Sequence, residues 1–280
     1  MLRDQVLPEG LHVVTYPATL AVSRQTVLFV SGLLRAERRR RGTRRGSRAL
    51  TCFRQAVLVL RWFADATRVD ALARDHKISI ATAYRYLHEG IDVLADAAPD
   101  LHQVLTRSRT EGISHLILDG TLVETDRVAA CTEAGHDEWY SGKHARHGGN
   151  IQLVCAPDGF PLWTSQVSPG RTHDLAAARE LALPALYASR LPTLADKGYI
   201  GAGIGVHTPI RNPPGTQVLS VDNRARNRII NALRAVAERG IALLKTRWKA
   251  LQHVTLDPWR IGAIVRAALV LTQFEHGRRY

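Results

Sequence analysis

Residues 113–124 read ISHLILDGTLVE, and this stretch decides how the second half of the chain is to be understood. A short run of β-branched and aliphatic residues leads into Asp119, a glycine follows, and the pattern resumes with Leu122 and Val123. The length and composition fit a strand better than a helix, so Asp119 is expected at a strand end with its carboxylate projecting from a sheet. Two later stretches have the same texture. NIQLVCAPDGFPLWTSQV (150–167) reads as two strands joined by a Pro-Asp-Gly turn, and LPTLADKGY (191–199) reads as another strand, ending at Asp196. Between them DLAAAREL, starting at Asp174, carries a helix signal. Strand, strand, strand, helix, strand predicts a mixed α/β sheet from about residue 113 onward. Irregular sequence follows over residues 201–215, and then one long helix is expected from near Ser220 to about Trp248.

Upstream the texture is helical. Residues 23–35 carry Val27, Leu28, Val30, Leu33 and Leu34 and run into RAERRRRGTRRGSR (35–48). Two readings fit that arginine block: a solvated, flexible segment, or an arm that grips a polyanion through Arg38, Arg39, Arg40, Arg41, Arg44 and Arg45. Ser47 is the expected cap of a helix that ends near Asp65, and a short helix is expected over residues 69–76. HKIS then leads to Ser79, a good N-cap for IATAYRYLHEGIDVLA (80–95). A short helix, a tight turn and a longer helix fit a helix-turn-helix, in which the early exposed residues of the last helix meet DNA: Thr82, Tyr84, Arg85 and Tyr86. They equally fit a plain three-helix unit with Ala71, Leu72, Ile78, Ile80, Ala83 and Leu87 as its core. The expected organisation is a helical segment and arginine-rich arm (1–46), a helix-turn-helix domain (47–98), a connector (99–112) and an α/β body (113–280).

The chain has 280 residues, 45% of them hydrophobic, so a sizeable core can form. Lysine and arginine number 38 against 25 aspartates and glutamates, a formal charge of +13 that favours a polyanionic partner. Nucleic acid and an anionic membrane both satisfy that charge. No apolar run reaches the roughly 18 residues a span requires, and Ile261 to Phe274 is interrupted by Arg266. A soluble protein with no membrane partner is therefore expected. Arg3, Asp4, Pro8, Glu9 and Gly10 do not read as a secretion leader. Cys52, Cys131 and Cys155 are odd in number and widely spaced, which suggests neither a disulfide framework nor a zinc ribbon and fits the cytoplasm.

Asp119 and Asp196, each closing an apolar strand, are expected to share one cleft. Glu238 lies on the long helix at the edge of a stripe formed by Ile230, Leu233, Ala237, Ile241 and Leu244. Three clustered carboxylates repel one another unless cations neutralise them, and hard divalent ions do so through oxygen ligands. Taken singly, the two aspartates also fit strand-end turns, and Glu238 fits a surface pair with Arg234.

The body resembles the DDE transposase domain of the IS-five-like bacterial insertion sequences and their Harbinger-like relatives. The motifs that carry the resemblance are Asp119-Gly120-Thr121, Ser141 to Gly148 (SGKHARHG), Gly170 to Asp174 (GRTHD), Ala195 to Tyr199 (ADKGY) and Ala237 to Lys245 (AERGIALLK). They come in the family's order and span residues 113–280, preceded by a segment similar to the family's helix-turn-helix. Ile241-Ala242 departs from the family's usual phenylalanine-glycine pair.

The resemblance implies an RNase H-like fold with Asp119, Asp196 and Glu238 as the catalytic, metal-binding triad, holding Mg²⁺ or Mn²⁺, two ions in all. Asp174 is implied as an auxiliary metal residue with His173 beside it, and a simple helix N-cap fits that pair equally well. Lys143, His144, Arg146 and His147 are implied on the backbone of bound DNA, with Lys197 and Lys245 as further DNA contacts and Tyr199 as an auxiliary residue near phosphate. The implied activity is cleavage and strand transfer at terminal inverted repeats, by a homodimer acting on double-stranded DNA at repeat and target site. Two rivals remain: an inactive or domesticated DNA-binding copy, and a stand-alone metal-dependent nuclease.

Overall fold

The computed structural model describes residues 5–6, 12–13, 19–215 and 218–278. Arg3, Asp4, Pro8, Glu9 and Gly10, on which the leader reading rested, lie outside the described residues.

After two paired stretches, β1 (Gln5–Val6) and β2 (His12–Val13), the chain is helical to residue 110: α1 (Arg24–Arg40), α2 (Cys52–Asp65), α3 (Val69–His76), α4 (Ile80–Ala95) and α5 (Leu101–Thr110). Each start has a local cause. The side chains of Ser23, Thr51, Ser79 and Asp100 accept from the backbone N–H three residues on, satisfying a donor that the first helical turn leaves open. Thr51, not the expected Ser47, caps α2, because the Ser47 hydroxyl donates to the Arg44 carbonyl instead. The turn between α3 and α4 closes through Lys77 in the left-handed region, φ 54°. Arg38, Arg39 and Arg40 form the last turn of α1, where their charge complements the helix dipole.

The body contains β3 (Leu116–Glu124), β4 (Tyr140–Ser141), β5 (Arg146–Cys155), β6 (Pro161–Thr164), β7 (Ser168–Pro169), α6 (Asp174–Leu181), α7 (Leu183–Ser189), β8 (Thr193–Leu194), β9 (Val206–His207), α8 (Val221–Arg234), α9 (Ala237–Arg247) and α10 (Ile261–Glu275). The sheet is ordered β4-β5-β3-β8-β9, with β6 and β7 also pairing with β5. β3 and β5 run antiparallel over eight paired positions, Ile117 with Cys155 through Glu124 with Gly148, while β8 is parallel to both β3 and β9. The mixed α/β expectation is met.

Alternation along the strands divides the core. Ile117 and Val123 of β3, with Ile151, Leu153 and Cys155 of β5, join one buried cluster with α1–α4, α9 and α10. Leu116 and Leu118 of β3 and Val154 of β5 face the other way, into a cluster with α5, α6 and α7. The helical half and the sheet therefore share one continuous core, reinforced where Phe29 stacks on Phe274 and Arg260 reaches Asp92 at 2.6 Å.

Three further expectations need correction. Asp119 does not end its strand: β3 runs on to Glu124, because Gly120 to Glu124 are all paired with β5. The single long helix is two, α8 and α9, interrupted at Ala235-Val236. There Gly159, in the left-handed region at φ +84°, has the Val236 carbonyl closer than a Cβ would allow, so the turn of the β5–β6 hairpin packs directly on the helix break. In α4 the assignments of two side chains reverse. Ile80 is 52% exposed rather than core, while Tyr86 is buried at 4% and its hydroxyl accepts from the Leu50 N–H.

Candidate active site

Asp119 and Asp196 arrive together by strand register. Leu116 pairs with Thr193 and Ile117 with Leu194, so the two aspartates lie the same number of residues past a parallel pair. Asp196 caps the 3-10 turn Lys197–Tyr199, its Oδ1 accepting from Gly198 N at 2.8 Å. Asp119 Oδ1 accepts from Gly120 N at 3.0 Å. Burial raises the Asp119 carboxyl from the ordinary range to about 6; Arg234 opposes the rise, and Asp196 and Asp174 add to it. Arg234, the last residue of α8, holds its Nη2 3.8 Å from Asp119 Oδ1, an ion pair beyond hydrogen-bond reach.

Glu238 is exposed in the first turn of α9, and its side chain makes no ion pair or hydrogen bond among the described residues. Also among the described residues, no three Asp, Glu, His or Cys side chains converge closely enough to hold a metal ion. The structure thus brings Asp119 and Asp196 together by strand register, and no described contact joins Glu238 to either. By donor chemistry the two aspartates still fit a hard divalent cation: they are oxygen donors, and the buried one is short of positive charge.

Asp174 sits on the far side of β3. Side chains at 117, 119, 121 and 123 share the α9 face, and Gly120 presents the opposite one. A Cβ at Gly120 would stand 2.6 Å from Asp174 Oδ1 and 3.0 Å from the Tyr199 hydroxyl, so only glycine lets both close over the strand. Asp174 accepts from Lys143 Nζ at 2.8 Å and from Asn150 Nδ2 at 2.8 Å. It starts α6 as expected, whereas His173 is exposed at the cap position and makes no side-chain cap bond.

Sequence reasoning missed Asn150 and Gln152. Both are buried, and Gln152 donates to Asn150 Oδ1 at 2.9 Å and accepts from Tyr199 at 2.7 Å. The signal was present: two amides two residues apart share one face of an otherwise apolar strand. Tyr199, expected near phosphate, is 1% exposed and its hydroxyl is committed to Gln152.

The basic residues differ in where their charge is directed. Arg146 pairs with Glu124 and His147 with Asp137, while Lys143 and His144 line a cleft of about 770 Å³ together with Arg171, His173 and Asp174. Lys197 is exposed beside Asp196. Lys245 turns inward, donating to Thr121 Oγ1 at 3.1 Å and to the Leu122 carbonyl at 2.8 Å, and burial pulls its ammonium below the ordinary range. Between the end of α1 and the start of α2 a groove of about 570 Å³ is lined by Arg35, Arg38, Arg39, Arg44, Arg45 and Arg48. A second of about 300 Å³ shares Arg48 and continues to Thr82 and Arg85. Arg40 and Arg41 are drawn to Glu37, and Arg48 to the buried Glu89. Tyr84 is exposed at 40% on the same helix start.

No helix among the described residues is long and apolar enough to cross a membrane. No curated protein and no solved structure matches the chain. The family model of the DDE superfamily endonucleases matches residues 118–273, more than half of the chain, opening at the strand that carries Asp119 and running through Asp196 and Glu238 into α10. On that match the chain belongs to the DDE superfamily endonucleases.

Proposed function

We propose that the protein is a DNA transposase of the IS-five-like and Harbinger-like kind, which binds the terminal inverted repeats of its own element, cuts there and joins the freed end to target DNA. The observation that carries the proposal is the parallel register that sets Asp119 beside Asp196 within the family-matched segment. The sheet order, with β6, β5, β3, β8 and β9 in sequence across it, supports an RNase H-like body. α3, the Lys77 turn and α4 support a helix-turn-helix over residues 47–98.

DDE superfamily endonucleases generally use divalent metal ions, and in this chain Asp119 and Asp196, completed by Glu238, would hold Mg²⁺ or Mn²⁺. When bound, two such ions stabilise the attacking and leaving oxygens of an in-line phosphoryl transfer. Asp196 keeps its carboxylate aimed by accepting from Gly198, and Lys197 offers a free ammonium to phosphate beside it. Lys245 fixes the strand segment just after Asp119 from the α9 side. The arginine groove and the start of α4 supply the backbone and base-edge contacts of repeat binding, the arginines carrying the salt-dependent share. Two ends must be paired for joining, which calls for at least a homodimer in the working complex.

A second reading, a DNA-binding relative that no longer cuts, is favoured by one observation: Arg234, not Glu238, stands beside Asp119. A joining assay separates the two. A duplex carrying the element's own end, incubated with the protein, Mg²⁺ and a target plasmid, should yield end-joined plasmid. Specific binding to the repeat with neither nicking nor joining would establish the second reading.

A further inference from the structure

Asp174 lies within electrostatic reach of Asp119, but on the opposite face of β3. Its carboxylate lies across Gly120 from the side of β3 that carries Asp119, and both of its oxygens are taken, Oδ1 by Asn150 and Oδ2 by Lys143. The amide chain behind it admits one orientation. The Tyr199 hydroxyl donates to Gln152 Oε1, so Gln152 must turn its Nε2 toward Asn150 Oδ1. Asn150 then has only its Nδ2 group to offer, and it donates to both the Thr172 carbonyl and Asp174. A buried chain satisfied at every link is stiff. It ends on a carboxylate whose remaining partner, the Lys143 ammonium, lines the cleft of about 770 Å³ and keeps further N–H donors free.

We infer that Asp174 acts through Lys143 rather than as a metal ligand: it is a positioning residue that holds Lys143 ready for a DNA phosphate, and Asn150, Gln152 and Tyr199 hold Asp174. Lysine normally loses its rotamer freedom on gripping phosphate, and a lysine already fixed on a carboxylate loses less. The inference rests on the DNA-cutting reading above, and its test tells the two apart.

The full-length chain is titrated with Mn²⁺ followed by electron paramagnetic resonance, and separately with a labelled duplex over a range of salt. Asp119→Asn should weaken Mn²⁺ binding about 10-fold or more, and Asp174→Asn by only about threefold, the effect of a nearby charge lost and not of a ligand. On DNA, Lys143→Gln should lower the salt slope by about 1 in the wild-type background and change nothing further in the Asp174→Asn background. Gln152→Met, which alters no charge, should reproduce the insensitivity to Lys143→Gln. Asp174→Asn losing Mn²⁺ as severely as Asp119→Asn would overturn the inference, as would a Lys143→Gln effect of equal size in both backgrounds. Wild-type protein that binds neither Mn²⁺ nor the duplex would bring down the functional reading and this inference together.

Discussion

Asp119 is an acid that folding disfavours as an anion. Burial raises its carboxyl to about 6, above the roughly 3.9 of an unfolded aspartate, so its contribution is fully present below about pH 4 and is lost as the pH climbs through 6. Asp119→Asn keeps the oxygen that accepts from Gly120 and removes the charge. In buffer free of divalent ions the variant should match the wild type near pH 4 and exceed its stability above pH 7, by about 1–3 kcal/mol. Urea denaturation at the two pH values measures the gap, and a gap that is absent at high pH would mean the carboxylate is compensated after all. The acid pair and its strands were legible in the sequence because an aspartate interrupting or closing an apolar run is conspicuous. Arg234 was not, since its approach to Asp119 depends on where α8 stops, which no local pattern dictates.

At the level of elements, capping and periodicity read well wherever the deciding contact was local. Ser79 and α4, and Asp174 at the head of α6, follow from residues within one turn. Ser47 failed because two hydroxyls four residues apart can each cap, and the choice of Thr51 follows from Ser47 bonding back to Arg44. Thr51→Ala should therefore cost about 1 kcal/mol, while Ser47→Ala should fall within a few tenths, as chemical denaturation of the two variants can show. The break between α8 and α9 was illegible for a different reason: the backbone turn at Gly159 that packs on it is distant in sequence. Asn150 and Gln152 were legible in principle, since polar residues at alternate positions of a buried strand need partners.

On the scale of the whole molecule, the sequence suggests a separate DNA-binding head, and the core is nonetheless continuous. Val59, Phe63 and Leu87 of the helical half share a cluster with Trp248, Ile264 and Leu271 of the body. Unfolding should accordingly be a single cooperative transition, with far-UV circular dichroism and tryptophan fluorescence superimposing in a denaturant titration. Two separated transitions would show that residues 47–98 hold together independently. The +13 charge is spent unevenly: arginines at the end of α1 and in the following loop face one groove, and Lys143 and Lys197 lie toward the acid centre.

The central claim is that Asp119 and Asp196 form one cutting centre. Single-turnover cleavage of a labelled duplex ending in the element's own repeat, with Mg²⁺ and with EDTA, tests it in the wild type, Asp119→Asn and Asp196→Asn. The account predicts metal-dependent cutting at the repeat boundary by the wild type, reduced at least about 10³-fold in each variant while repeat binding persists. Cutting by either variant at the wild-type rate, or by the wild type in EDTA, would contradict it.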